Sequence, residues 1–267
     1  MSRGLAWLRA LANGAADNAH SVRCADVEWG DESVRLVCVV PDPAARFPRA
    51  RAGQVGIEDG WALAAAVRAA IDADLGRKPR AIVAIVDVPG QAFGYHEEAL
   101  GLHESLAAAA DAYASARLAG HPVVALIVGK AISGAFLAHG LQAGALLALD
   151  DEKVEVHVMS QASVARVTRR SEEEVAALAK VVPATARDVH AFARLGAIDR
   201  LVRVQHADAP TPVDAQSVRP LLLQMLQDLR VRNRGPSDRL ANEAAQRSRA
   251  MAIHVRQLLE AQWDASA

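Results

Sequence analysis

Aromatic residues make up only 4% of this 267-residue chain, and there are just two cysteines. So few aromatics cannot build the stacking platforms that bind single-stranded nucleic acid. Charge of one sign is also missing, since 30 Lys and Arg stand against 31 Asp and Glu. No basic excess is left for a phosphate backbone, and no nucleic-acid partner is expected. Cys24 and Cys38 have neither zinc-site nor redox-pair spacing. Cys38 lies inside the apolar run Val34–Val40, where a small buried hydrophobe is the simplest reading. Long hydrophobic runs are absent too: the best candidate, Ala143–Leu149, falls far short of the roughly 20 residues that cross a bilayer. Met1–Gly14 lacks the apolar centre of a secretory signal. The expectation is a cytoplasmic protein with no membrane contact.

What is present is ordinary globular material, 52% hydrophobic and 23% charged. Apolar, β-branched runs at 34–40, 81–86, 123–128, 145–149 and 154–158 read as strands covered on both faces. Alanine-rich stretches at 59–75 and 99–118, and a shorter one at 134–142, read as helices between them. This alternation predicts a layered α/β fold. Beyond residue 160 the chain turns helical, with a capping box at Ser171–Glu174 and a helix over 188–195 that stops at Gly196. Residues 205–215 look like a surface loop. Two terminal helices are expected at 217–232 and 237–263, separated by Asn233–Pro236.

Two segments place a strand, a glycine turn and a helix in succession: Ile82–Glu98, with Gly90 and Gly94, and Val123–Leu137, with Gly134. Amides at a helix N-terminus attract negative charge, and glycine permits close approach. Neither segment has the spacing of a P-loop or a dinucleotide fingerprint. The remaining guest is an oxyanion formed during reaction, which needs convergent amides about 3 Å away. Tight packing accounts equally well for the glycines on this reading.

Asp87–Gly101 carries Pro-Gly, a second glycine and an acidic pair before Gly101. Together with Val55–Trp61, Gly60–Ala64, Val156–Ser160, Ala165–Thr168 and Ser133–Ala135, it resembles the carboxyltransferase branch of the crotonase superfamily. The likeness is to the gamma subunits of biotin-independent malonate decarboxylases and covers residues 30–205. It implies a crotonase-like (ClpP/crotonase) spiral of ββα units with C-terminal helices. The implied divisions are an N-terminal extension at 1–29, a core at 30–205 and a helical appendage at 206–267. Relatives often carry Gly-Gly at the second turn where this chain has Gly134–Ala135, which keeps the amide and reduces backbone freedom.

The resemblance implies decarboxylation of a malonyl thioester carried on the phosphopantetheine-type arm of an acyl carrier protein. No biotin and no metal are required. The partner implied is a homologous beta subunit sharing the site, and a homodimer is conceivable when the chain is alone. The groups implied at the reaction centre are the main chain at Phe93, Gly94, Gly134 and Ala135, with Gln91, Tyr95, His96 and Ser133 in supporting contact. Two alternatives stay open: a serine hydrolase of the same broad fold, and a non-catalytic scaffold subunit. Ala131–Ala135 is not a Gly-x-Ser-x-Gly elbow, so Ser133 reads as an N-cap or a polar wall. Glu97 and Glu98 suit the first turn of a helix. His139 and His157 read as satisfied core histidines, and His103 and His121 as surface or turn residues. Arg239, Arg247, Arg249 and Arg256 read as a solvated face, or as a dock for an acidic carrier protein.

Overall fold

The computed structural model describes residues 2–14, 20–182, 185–232 and 235–264. Asn233 and Arg234 of the expected separator lie outside them. Among the described residues seven strands form one sheet: β1 (Val22–Trp29), β2 (Glu32–Val39), β3 (Ala81–Val88), β4 (Val123–Ile132), β5 (Ala145–Leu149), β6 (Glu155–His157) and β7 (Arg200–Val202). Their order is β1-β2-β3-β4-β5-β7, with β6 pairing only the far end of β4. Every pairing except the β1–β2 hairpin is parallel. Ala81–Val86 of β3 is buried throughout. Because side chains alternate faces along a strand, both faces of the sheet centre must be covered.

The cover begins at the N-terminus. Helix α1 (Arg3–Leu11) buries Trp7, Leu8 and Leu11 completely. Arg3 donates to the Val128 carbonyl (2.9 Å) and pairs with Asp151 and Asp208. These residues were expected only as an extension, with β1 unrecognised. The two-residue Gly30–Asp31 link closes the hairpin with Gly30 at φ +66°. Helices α2 (Ile57–Ala73) and α4 (Leu102–Leu118) pack so closely that a Cβ on Gly60 would lie 2.7 Å from the Ser105 main chain. That contact gives Gly60 of the Gly-Trp motif its physical reason.

Short helices α3 (Tyr95–Ala99) and α5 (Ser133–Ala138) follow β3 and β4, and α6 (Gln161–Thr168), α7 (Glu172–Val181) and α8 (Val189–Arg194) follow β6. Helix α9 (Pro212–Arg232) starts inside the stretch expected as loop, because Thr211 and Asp214 cap each other: Thr211 N donates to Asp214 Oδ2 (2.9 Å) and Asp214 N to Thr211 Oγ1 (3.3 Å). The single helix expected at 237–263 is instead a 3₁₀ turn at Pro236–Leu240, then α10 (Glu243–Ser248) and α11 (Ala250–Asp264). Arg239 in that turn is buried and donates to the carbonyls of Leu141 and Ala143, which corrects its reading as solvated. His121 is likewise buried, bonded to the Arg80 carbonyl at 2.9 Å. One core joins residues on both sides of positions 30 and 206, among them Trp7, Leu126 and Leu226. Among the described residues no helix is long and apolar enough to cross a membrane.

Candidate functional site

The two glycine turns leave the same ends of neighbouring parallel strands. Register between β3 and β4 shifts after Val86, where Asp87 takes over the contact. Its Oδ1 accepts from Lys130 N (3.2 Å) and its Oδ2 from Gly4 N (3.0 Å), at the start of α1. A Cβ on Gly129 would collide with that carboxylate. The strands therefore part at Asp87, and the freed end of β4 pairs with β6, aligning Ile132 with His157.

Past the split, Gly90 (φ +123°) turns the chain, and Val55 brackets the loop by donating to Gly90 O (3.0 Å) and accepting from Ala92 N (2.8 Å). Phe93 N donates back to Gln91 O (2.9 Å), so this amide is already engaged. The Phe93 ring lies under the Arg49 guanidinium, 4.3 Å away. Gly94 opens α3, and the buried Glu97 side chain folds back to fill the space beside it. Glu97 and Glu98 occupy the first turn as expected. Tyr95 and His96 are exposed and meet edge to face.

Ser133 turns β4 into α5 with φ +57°, a left-handed conformation uncommon for a residue with a side chain. It is not the N-cap, a position held by Ile132 without a side-chain bond. Among the described residues no hydrogen bond joins Ser133 to a histidine, as a hydrolase would require. Ser133, Gly134 and Ala135 fall in the first turn of α5, where amides lack helical partners. The Gly134 amide donates to Gln91 Oε1 at 3.0 Å. This bond brings the two loops together at one place, 43 residues apart in sequence.

The two buried histidines differ. His139 bonds through Nδ1 to the Tyr113 hydroxyl (2.9 Å) and through Nε2 to the Ile85 carbonyl (3.0 Å), as a satisfied core residue should. Burial lowers its pKa to about 4 against the weaker pull of the Ile85 bond. His157 is satisfied on one side only. Its Nε2 meets Arg187 Nη2 at 2.9 Å, while among the described residues its Nδ1 is buried without a hydrogen-bond partner. Glu155 Oε2 lies 3.4 Å from the same Nε2 and 3.2 Å from Arg187 Nη2. The Arg187 contact to the ring is the shorter, and since arginine carries only donors, Nε2 accepts from it and the neutral ring holds its proton on Nδ1. Burial lowers the pKa of His157, as does the Arg187 charge, while Glu155 and the main chain at Met159 pull the other way. The expectation of a satisfied histidine fails at Nδ1, which among the described residues has no partner in hydrogen-bonding geometry.

The sheet order and the paired turns define a class, and solved structures share it. Transcarboxylase 12S, bound to methylmalonyl-coenzyme A and methylmalonic acid, superposes on 85% of this chain and 42% of its own with a TM-score of 0.60 at 19% identity. The fold is that of crotonase-type carboxyltransferases. Within that class the likeness narrows. A Pseudomonas malonate decarboxylase hetero-tetramer solved with coenzyme A contains a chain 48% identical, matching 98% of this chain and 100% of that one with a TM-score of 0.90. A Pseudomonas MdcD–MdcE hetero-dimer matches at 48% identity and a TM-score of 0.85, with the same coverage. The malonyl-S-ACP:biotin-protein carboxyltransferase of Malonomonas rubra is 43% identical over 161 residues, 59% of this chain. The chain spans about half the length of that curated relative, 55%. The family model of malonate decarboxylase gamma subunits matches residues 50–263, and the chain belongs to that family.

Proposed function

We propose that the chain works as one half of a malonate decarboxylase, removing CO2 from a malonyl thioester carried by an acyl carrier protein. The observation that carries this reading is the Gln91–Gly134 bond, which joins both turns at one point in a chain of this family. In the reaction the bond between C2 and the carboxyl carbon breaks, CO2 leaves, and its electron pair moves onto the thioester oxygen as an enolate. A proton taken up at C2 completes the acetyl thioester. Fixed main-chain donors suit the enolate because they need no reorganisation as charge develops. Gly94, Gly134 and Ala135 supply them, with Phe93 shaping the first loop. Gln91 Oε1 accepts from the Gly134 amide, and the substrate oxygen takes its place. Tyr95, His96 and Ser133 border the entry.

A homologous beta subunit closes the site. Phe93, Tyr95, Leu100 and Leu137 around the turns are 51%, 86%, 62% and 50% exposed, and α11 leaves Met251, Leu259 and Trp263 in solvent. Apolar surface of that extent suits a permanent partner, and pairing with a second copy is the fallback when the partner is missing. The carboxyl group is released rather than passed to biotin, and the complex works in the cytoplasm.

The test is co-expression with a crotonase-like beta chain, followed by conversion of malonyl-carrier to acetyl-carrier with and without avidin. We expect a stable heteromer, an avidin-insensitive reaction and an inactive single chain. Turnover by the chain alone, or loss of activity with avidin, contradicts the reading.

A further inference from the structure

A cavity of about 830 Å³ lies between β6, α6, α7 and α8. Its lining is largely aliphatic, with Met159, Val164, Val175 and Ala179 among its walls, and His157 and Arg187 also border it. These two side chains touch at 2.9 Å, and among the described residues each keeps a buried N–H without a hydrogen-bond partner: Nδ1 on His157 and Nε on Arg187. His157 is only 7% exposed. A buried donor left bare costs about 1–3 kcal/mol, so a pair of them is more readily understood as a place kept for an acceptor. The acceptor is anionic: Glu155 pairs with Arg187 at 3.2 Å and Asp188 also lines the cavity, but Lys180 and Arg194 beside Arg187 leave an excess of positive charge. The aliphatic walls ask for a short carbon chain behind that anion. Position supports the link to the reaction, since His157 is aligned with Ile132, the residue before the Ser133–Gly134 turn.

We propose that this cavity receives the carboxylate of a short acyl group, with His157 Nδ1–H and Arg187 Nε–H as its donors. The inference rests on the decarboxylase reading to the extent that the acyl group is the malonyl end of the substrate. Arg187 has a second duty, holding His157 in the tautomer that donates from Nδ1. His157 acts as a neutral donor throughout and transfers no proton.

The test uses the assembled complex with its beta chain and measures malonate affinity by calorimetry, together with KM and kcat for malonyl-carrier. His157→Phe removes the donor and keeps the ring's bulk, while His157→Asn places an amide near the position of Nδ1. Thermal midpoints establish that both variants fold. We expect His157→Phe to weaken malonate binding and raise KM by about tenfold or more, with His157→Asn recovering much of the loss, as one hydrogen bond to a charged group predicts. Equal malonate affinity in wild type and His157→Phe overturns the proposal. So does an Asn variant no better than Phe, or a wild-type complex that fails to bind malonate at millimolar concentration. A complex that binds malonate through His157 yet forms no acetyl thioester refutes the decarboxylase reading and leaves the cavity assignment standing. Decarboxylation with an affinity indifferent to His157 does the reverse.

Discussion

His139 and His157 are both buried histidines near the strand ends, and they show two different uses of the same side chain. His139 sits between β3 and α4 with both nitrogens bonded, so it closes a polar gap in the core. His157 sits at the end of β6 with one nitrogen bonded and one bare. Burial alone does not separate structural from functional histidines here. The count of satisfied nitrogens does.

Removing the satisfied ring should cost most. His139→Ala leaves the Tyr113 hydroxyl and the Ile85 carbonyl unpaired and opens a cavity, and we expect a loss of about 3 kcal/mol or more in urea unfolding. His157→Phe should shift the same measurement by less than about 1 kcal/mol, since the ring's contacts to Arg187 and Glu155 are lost while those two side chains remain paired with each other. Equal losses at the two positions would erase the distinction.

Acid should act through the same core site. The folded pKa of His139 is about 4, below the ordinary value of 6.5. As pH falls through 6.5 the unfolded chain binds a proton that the folded chain refuses, so stability declines until the pH reaches about 4. The total is about 3 kcal/mol. Unfolding free energies measured from pH 7 to pH 4 should show this decline, and His139→Gln should flatten it. A wild-type slope unchanged by the Gln variant removes His139 as its source.

The smallest effect separates two glycines of the second motif. A Cβ at Gly129 collides with Asp87, whereas one at Gly134 lies 3.4 Å from the Gln91 side chain, an ordinary contact. Gly129→Ala should lose about 2 kcal/mol and Gly134→Ala less than about 1, as thermal melts can report. The reverse order would mean that the strand split at Asp87 is not fixed as described.

How far the sequence could be read follows the same physics. Strands β3, β4 and β5 were legible because burial on both faces leaves unbroken apolar runs. Strand β1 mixes Arg23, Asp26 and Glu28 among its apolar residues, and three-residue β7 is only half-buried, so neither stands out from its surroundings. Helix α1 hides its role because Arg3 and Gly4 are buried through partners more than 80 residues away. The start of α9 was readable in Thr211-Pro212-Val213-Asp214, a cap signature obscured by the polar residues before it. Both turns of the site were visible as motifs. Their meeting through Gln91 and Gly134 was not, nor was the bare nitrogen of His157, which depends on Arg187 30 residues downstream.

The central claim, that main-chain donors rather than a serine nucleophile carry the chemistry, is tested by one comparison of turnover. Malonyl-carrier decarboxylation is measured in the assembled complex for Gly134→Val and Ser133→Ala, with assembly checked for each. A branched side chain at Gly134 displaces the substrate oxygen from the amide, and the expected loss is about a hundredfold or more. Ser133→Ala should cost less than about tenfold, because no covalent step passes through its hydroxyl. Abolished activity in Ser133→Ala alongside an undiminished rate in Gly134→Val would contradict the account and favour a hydrolase.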